Sequence, residues 1–187
     1  MITLEGPRIR LRPWRLPEDL DPLFAINGDP GVMRHFAFVP TRAESDAFGA
    51  RMAAHEQAHG WGFWPVELPG VAPLIGVVGL LHVAFEAHFT PAVEIGWRIA
   101  APFQRQGYAE EAARLALAYG FGPLALPRIV AFTPPVNEPS WRLMERLGMR
   151  RIGAFAHPRV PEDHPRREHL LYAQERAAWM TARLERG

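Results

Sequence analysis

The chain contains no cysteine and no lysine; all 21 of its basic residues are arginine. Without cysteine there is no disulfide, no thiolate metal ligand and no covalent cysteine intermediate. Without lysine there is no Schiff-base chemistry and no Walker-type phosphate loop, which requires one. Long apolar runs are missing too. None approaches the roughly 18 residues of a membrane span, so no membrane association is expected. Met1 to Arg15 has arginines but lacks the apolar stretch of a signal peptide, and a cytoplasmic address is the expectation. Nor is there a charge excess. The formal net charge of +1 gives no electrostatic case for a nucleic-acid partner.

What is present belongs to an ordinary globular protein: 48% hydrophobic and 22% charged residues. A chain of 187 residues is long enough for one well-cored domain and short for two. It has no internal repeat and no dividing linker, so one domain over residues 1–187 is expected.

Local patterns then place the elements. Arg8 to Arg12 alternates as a half-buried strand does. Pro17-Glu18-Asp19 opens a short helix through Ile26, and Pro30 to Phe36 is a second short helical piece. Thr41 and Glu44 have capping-box spacing ahead of a helix to about His59, ended by Gly60. Strands follow at Trp61 to Leu68, Leu74 to Phe85 and Ala92 to Ile99, with a Pro69-Gly70 turn after the first. Gly76 and Gly79 suggest a bulge or a close backbone approach. Tyr108 to Phe121 is a helix with a face of small residues, Ala109, Ala112, Ala113, Ala116 and Gly120. Arg128 to Thr133 reads as a strand, Pro139 to Leu147 as a helix, Met149 to Phe155 and His169 to Ala173 as strands, and Glu175 to Arg186 as a last helix. The order β-α-α-β-β-β-α-β-α-β-β plus a helix predicts a mixed α+β sheet.

The most informative stretch is Gln104-Arg105-Gln106-Gly107-Tyr108-Ala109, between a strand end and a helix start. Such a junction aims unsatisfied backbone N–H groups at one point, at the positive end of a helix dipole. Gly107 permits close approach or a positive φ, Ala109 leaves room, and Gln104 and Arg105 add donors. A pyrophosphate suits this site. Taken alone, the same loop could simply cap a helix.

Its context is wider. The loop matches Gln/Arg-x-x-Gly-x-Gly/Ala and lies after Glu94-Ile95-Gly96-Trp97-Arg98-Ile99. Glu110-Glu111-Ala112, Tyr119-Gly120-Phe121, Asn137-x-x-Ser140, Leu147-Gly148-Met149 and His169-Leu170-Leu171-Tyr172-Ala173 follow in order. Together these resemble the GCN5-related N-acetyltransferase (GNAT) superfamily, in its ribosomal-protein N-terminal (RimJ/RimL-like) subgroup, over roughly Arg8 to Trp179. The resemblance implies a single mixed, mostly antiparallel sheet flanked by helices, with a splayed strand pair holding the acyl-CoA arm. It implies acetyl-CoA as co-substrate, with no metal, and a primary amine as acceptor, plausibly a peptide or protein N-terminus. Main-chain groups of Trp97 and Ile99 would hold the arm and polarise the thioester. Those from Arg105 through Gln106, Gly107, Tyr108 and Ala109 to Glu110 would hold the pyrophosphate, and Asn137 would touch the arm.

Glu94 is the candidate general base, directly or through water; its structural alternative is an ion pair with Arg98 on the same strand face. Many relatives carry a proton-donating tyrosine seven residues after the asparagine, where this chain has Met144. Ser140 is the candidate substitute, with water as the other source and a helix-start hydroxyl as the bland reading. Without cysteine, direct attack in a ternary complex is the natural route. A non-catalytic acyl-CoA sensor on the same fold is the competing function. The sequence leaves the acceptor and the oligomeric state, monomer or homo-oligomer, open.

Two further features compete for attention. His55-Glu56-Gln57-Ala58-His59 matches the H-E-x-x-H zinc-protease motif on a helix, but the extended pattern's third ligand position is Pro65, which has no donor atom. His157, His164 and His169 with Arg159, Arg166 and Arg167 crowd a Pro-rich region that reads as a solvated loop or as an acceptor-binding lid.

Overall fold

The structure is a computed structural model and describes residues 2–185. Strands β1 (Leu4–Glu5) and β2 (Arg10–Leu11) precede helices α1 (Leu20–Asn27), α2 (Pro30–Met33) and α3 (Arg42–His59). Strands β3 (Phe63–Leu68), β4 (Ala72–His82) and β5 (Val93–Ile99) follow, then a 3₁₀ turn at Ala101–Phe103 and α4 (Tyr108–Phe121). The chain ends with β6 (Arg128–Thr133), α5 (Glu138–Arg146), β7 (Arg150–Ala156), β8 (Glu168–Glu175) and α6 (Arg176–Leu184).

The strand order is β1-β2-β3-β4-β5-β6-β8-β7. β5 and β6 pair in parallel, at Glu94↔Val130, while β1–β2, β2–β3, β3–β4, β6–β8 and β7–β8 are antiparallel. This is the mixed, mostly antiparallel α+β sheet that the sequence predicts. Among the described residues no helix is long and apolar enough to cross a membrane.

The local reasons are legible in the bonds. Thr41 and Glu44 form the expected capping box: the Thr41 hydroxyl accepts from Glu44 N, and the Glu44 carboxylate accepts from Thr41 N at 2.8 Å. The first alternating segment forms a strand only at Arg10–Leu11, because the N–H groups of Arg8 and Ile9 donate instead to the Glu111 carboxylate. α2 stops at Met33, three residues short of Phe36, and β4 stops at His82 rather than Phe85. The two-residue β1 is too short to show any periodicity. α6 is described to Leu184; Arg186, to which the sequence reading carried it, lies outside the described residues.

The chain falls into two compact units. One is the chain to Leu80 with Gly96–Ala116, the other Leu81–Ile95 with the chain from Leu117. In the first, Leu11, Leu23, Trp64, Ile75, Val78 and Leu80 form the interior, with Ala112, Ala113 and Ala116 of α4 fully buried. Arg12 is buried among them and compensated. Its guanidinium donates to both oxygens of Asp19 at 2.7 and 2.8 Å and to Pro73 O at 2.6 Å, and it is also paired with Glu67. In the second unit, Val130, Leu171 and Ala173 are the buried centre against which Phe89, Phe132 and Phe155 pack. Trp179 of α6 lies against Phe121, ring centres 5.7 Å apart, and Arg176 Nε donates to Phe121 O at 2.7 Å.

The two β4 glycines mark close approach rather than a bulge at their own positions. A Cβ on Gly76 would collide with Arg98 O, and one on Gly79 with Gly62 O. Backbone, not a flexible side chain, stands in the way. Gly79→Ala is therefore expected to destabilise the fold by about 1–3 kcal/mol, as overpacking does, read as a lower urea midpoint with an unchanged slope.

Candidate active site

The junction between β5 and α4 is held open by its own side chains. Beyond Ile99 the chain is anchored by Ala100 N donating to Ile75 O at 2.9 Å. The Gln104 side-chain amide donates to Ile99 O at 2.9 Å, and that of Gln106 to Pro102 O at 2.8 Å. Gln104 thus stitches the loop to the end of the strand. Arg105 and Gly107 both take positive φ, 63° and 85°. Glycine tolerates that conformation freely; Arg105 adopts it at a cost the loop geometry imposes. Helical bonding begins with Glu111 N to Gly107 O at 3.0 Å. Among the described residues, the N–H groups of Arg105, Gln106, Gly107, Tyr108 and Ala109 reach no backbone carbonyl. They form an open row of donors at a helix start, and that row suits an anion.

Arg8, which carries no motif signal, is the residue that sequence reasoning missed here. Its Nη1 donates to Gln106 O at 2.9 Å, its Nε pairs with Glu111 at 2.7 Å, and its guanidinium lies 4.7 Å above the Tyr108 ring. Arg8 therefore clamps the loop from outside and adds charge beside Arg105, which is exposed.

In the other unit, Glu94 projects from the face of β5 that continues, through its pairing with Val130, to Phe132 on β6. Register then brings Leu171 and, two residues on, His169 to the same face, with Phe155 opposite His169 on β7. Glu94 keeps some solvent contact but lies deep in this recess. Burial pushes its carboxyl up to about 8, opposed by the charge of Arg159. Arg159 donates to Ala84 O and lies 5.9 Å from the Phe85 ring centre. Phe85, Phe89, Phe132 and Phe155 pack against one another, edge to face or stacked. The rings of His157 and His169 are 4.8 Å apart. Burial, then the neighbouring His169 and Arg159, lowers His157 to about 4, so this imidazole is neutral at pH 7.

The histidine-rich segment is thus not one solvated loop. His157 and His169 join the aromatic recess, while His164 accepts from Arg166 N at 3.1 Å within the loop. Nor does Arg98 pair with Glu94. Its Nη1 donates to Asn27 Oδ1, and it lies 4.6 Å from the Phe36 ring and 5.5 Å from that of Phe48. The cation coupled to Glu94 is Arg159, 65 positions away in sequence, where no local pattern could have shown it.

The sequence profile of the Acetyltransferase (GNAT) domain matches residues 8–150, which include the loop, Glu94 and Asn137. The chain belongs to the GNAT acetyltransferase family. It is similar to two uncharacterized N-acetyltransferases of Bacillus subtilis. It is 30% identical to YoaA over 81% of this chain and 85% of that protein. It is 43% identical to YnaD over 49% of this chain, a match that spans about half of YnaD's length, 52%. A solved GNAT-family acetyltransferase from Bacillus anthracis has the same fold, with a TM-score of 0.77 and 29% identity over 94% of this chain and 99% of the other.

The remaining residues assigned from GNAT resemblance are placed as follows. Asn137 precedes α5 without capping it; its amide donates to Thr133 Oγ1 at 2.9 Å and so fixes the β6–α5 turn. Ser140 is half-buried in the first turn of α5, its N–H donating to Asn137 O at 3.1 Å. Met144, at the position of the family tyrosine, is 2% exposed and part of the core.

The H-E-x-x-H motif does not assemble a protease centre. Glu56, which would be the base, is buried at 1% exposure and accepts from Trp14 N at 3.3 Å. His55 Nδ1 lies 3.0 Å from Trp61 O, and Pro65 lies within β3. The glutamate is a core acceptor, not a group facing a reacting water.

The Glu94 environment gives a direct prediction. Its folded pKa is raised, so the carboxyl is mostly protonated at pH 7 and ionises as pH passes about 8. Difference infrared titration should show one carboxylate appearing near pH 8 that is missing in Glu94→Gln. In Arg159→Ala the same step should move to higher pH, because the charge that favours the ionised form is gone. A step near pH 4.5 instead would contradict the burial argument.

Proposed function

We propose that the protein is an N-acetyltransferase that moves the acetyl group of acetyl-CoA to a primary amine, by direct attack in a ternary complex. The acceptor in this reading is a peptide or protein N-terminal amine, as in the ribosomal-protein (RimJ/RimL-like) subgroup whose motifs the chain resembles. The whole chain acts as one domain, its core at about residues 8–179. The observation that carries the proposal is the open row of N–H groups at the start of α4, with Gly107 at φ 85° and the Arg8 guanidinium beside it. These residues fit a pyrophosphate in charge, in donor count and in backbone clearance.

On this reading Arg105 to Glu110 hold the pyrophosphate through main-chain N–H groups, and Trp97 and Ile99 hold the arm. Ile99 O already accepts from Gln104, so the Ile99 N–H is the group left to polarise the thioester carbonyl. The amine nitrogen attacks that carbonyl carbon, Glu94 takes the amine proton directly or through a water, and the carbon–sulfur bond breaks. A base of pKa about 8 is close to working pH and matched to an ammonium, which makes the desolvated Glu94 suited to the task. The leaving thiolate takes its proton from Ser140 or from water.

The burial of Met144 favours a second reading. With no hydroxyl at that position, an acyl-CoA sensor that binds without turnover has one observation on its side. Thiol release separates the two. With acetyl-CoA and a panel of amines and N-terminal peptides, the enzyme frees CoA in proportion to acceptor, while the sensor binds and frees none. In the enzyme, Glu94→Gln should lower kcat by about 10²-fold or more, in the range of a lost general base, with little change in affinity for CoA. Unchanged turnover would remove Glu94 as base. Gly107→Glu, which adds a charge and a strained φ at the donor row, should abolish CoA binding, measured by calorimetry; retained affinity would sink the phosphate-loop argument.

A further inference from the structure

Among the described residues of the first unit, Arg12 is buried and Arg98 is half-buried on β5, and of these two Arg12 alone has a counter-charge. Arg12 is bidentate to Asp19 and also paired with Glu67. Among the described residues Arg98 pairs with no acid. Its Nη1 donates to Asn27 Oδ1, and its flat faces lie near Phe36 and Phe48. Asn27 is itself held in place, because its amide donates to the buried Ser45 hydroxyl at 2.9 Å. The Nε of Arg98 is buried and makes no hydrogen bond. Among the described residues Nη2 makes none either. The edge of the guanidinium that pairs with a carboxylate therefore has no partner among the described residues, while the other edge is fixed by a rigid neutral partner. Burial lowers Arg98 to about 10, with no neighbouring charge opposing it. A desolvated cation with an unpaired donor is costly to keep, and the protein shows at Arg12 how it compensates one when structure alone requires it.

We propose that Arg98 is the anion-binding residue of the acceptor site and that the preferred acceptors are amines carrying a carboxylate. This rests on the transferase reading above, in which the main chain on either side of Arg98, at Trp97 and Ile99, holds the thioester arm. The Arg98 side chain alternates with those two, so it faces away from theirs, toward Phe36 and Phe48. Phe36 is also the first residue of an exposed apolar run, with Phe36, Phe38 and Val39 exposed by 39%, 64% and 44%. An anchor for charge and an uncovered apolar strip meet at Phe36. A ligand that satisfies both is an amine with an apolar body and a carboxylate. That carboxylate can be a chain-terminal group or an acidic side chain.

The test uses matched acceptors with the full chain and acetyl-CoA. One pair of dipeptides differs only in a free or amidated C-terminus; a second, both amidated, differs in an acidic or neutral second residue. The wild type should favour the carboxylate member of at least one pair by about tenfold or more in kcat/KM, chiefly through KM, as expected for a desolvated charge pair. The pair that discriminates identifies the source of the charge. Arg98→Met should bring that ratio close to one, and Arg98→Lys, which keeps the charge without the fork, should leave it in between. A wild type indifferent to the carboxylate overturns the proposal, and so does an Arg98→Met protein that still discriminates. Should Arg98→Met not fold, the wild-type ratio and the lysine variant decide. Should no amine release CoA, the transferase reading itself fails, and calorimetry with N-acetylated dipeptide acid and amide judges the subsite separately. Tighter binding of the acid that is lost in Arg98→Lys supports it, and equal binding of the two refutes it.

Discussion

The first turn of α4 is the constraint on which the donor side of this protein depends. A helix that starts with unmet N–H groups must have them satisfied by something. Here the side chains that could cap the helix are employed elsewhere. The Gln104 amide bonds back to Ile99 O, that of Gln106 to Pro102 O, and Glu111 turns outward to Arg8. Each bond shapes the loop while leaving the donor row uncovered. The positive φ of Arg105 is the strained part of this arrangement, and the Arg8 clamp holds the next residue at Gln106 O. The small face of α4, Ala112, Ala113 and Ala116 fully buried, lets the helix sit low enough for its start to meet the end of β5.

The recess around Glu94 works by the opposite means. There the protein withholds solvent instead of offering donors. A carboxyl desolvated by burial is pushed toward the range in which it can exchange a proton with an amine, and Arg159 limits how far it goes. The same desolvation lowers both His157 and His169, so at pH 7 neither imidazole adds a cation beside Arg159. Aromatic side chains are suited to this, since they exclude water over a large area with few internal freedoms to lose.

What could be read from the sequence follows from the range of the forces involved. The α3 capping box, the Tyr108–Phe121 helix, the Arg128–Thr133 strand and the loop before α4 are set by neighbours within a few positions, and each lies where the residues place it. The β2 strand is shorter than its alternation suggests because Glu111, about a hundred positions away, takes its N–H groups. The alternative of a Glu94–Arg98 ion pair rests on strand alternation, which does not give the direction of a long side chain; Arg98 bonds to Asn27 instead. Arg8 and Arg159 carry no motif at all. Their roles arise from tertiary placement, and an arginine in a chain with 21 of them has no distinguishing local signal.

This division has a chemical sense. Phosphate recognition by backbone needs only a turn, a glycine and a helix start, all contiguous, and a contiguous solution can be carried as a motif. Holding an acceptor needs particular side chains around a particular shape, which loops and helix ends supply from separate parts of the chain. Arg12 and Arg98 show the difference on one scale. Arg12 is closed off by Asp19, seven residues away, and serves the fold. Arg98 draws its neighbours from α1, α3 and the segment after α2, all of them neutral. A chain selected only for stability would gain by supplying an acid there, as it does for Arg12, or by replacing the arginine with an apolar residue. Keeping the cation, fixing it through Asn27 and Ser45, and leaving its carboxylate-pairing edge without a protein partner is the pattern of a group whose partner arrives with the substrate.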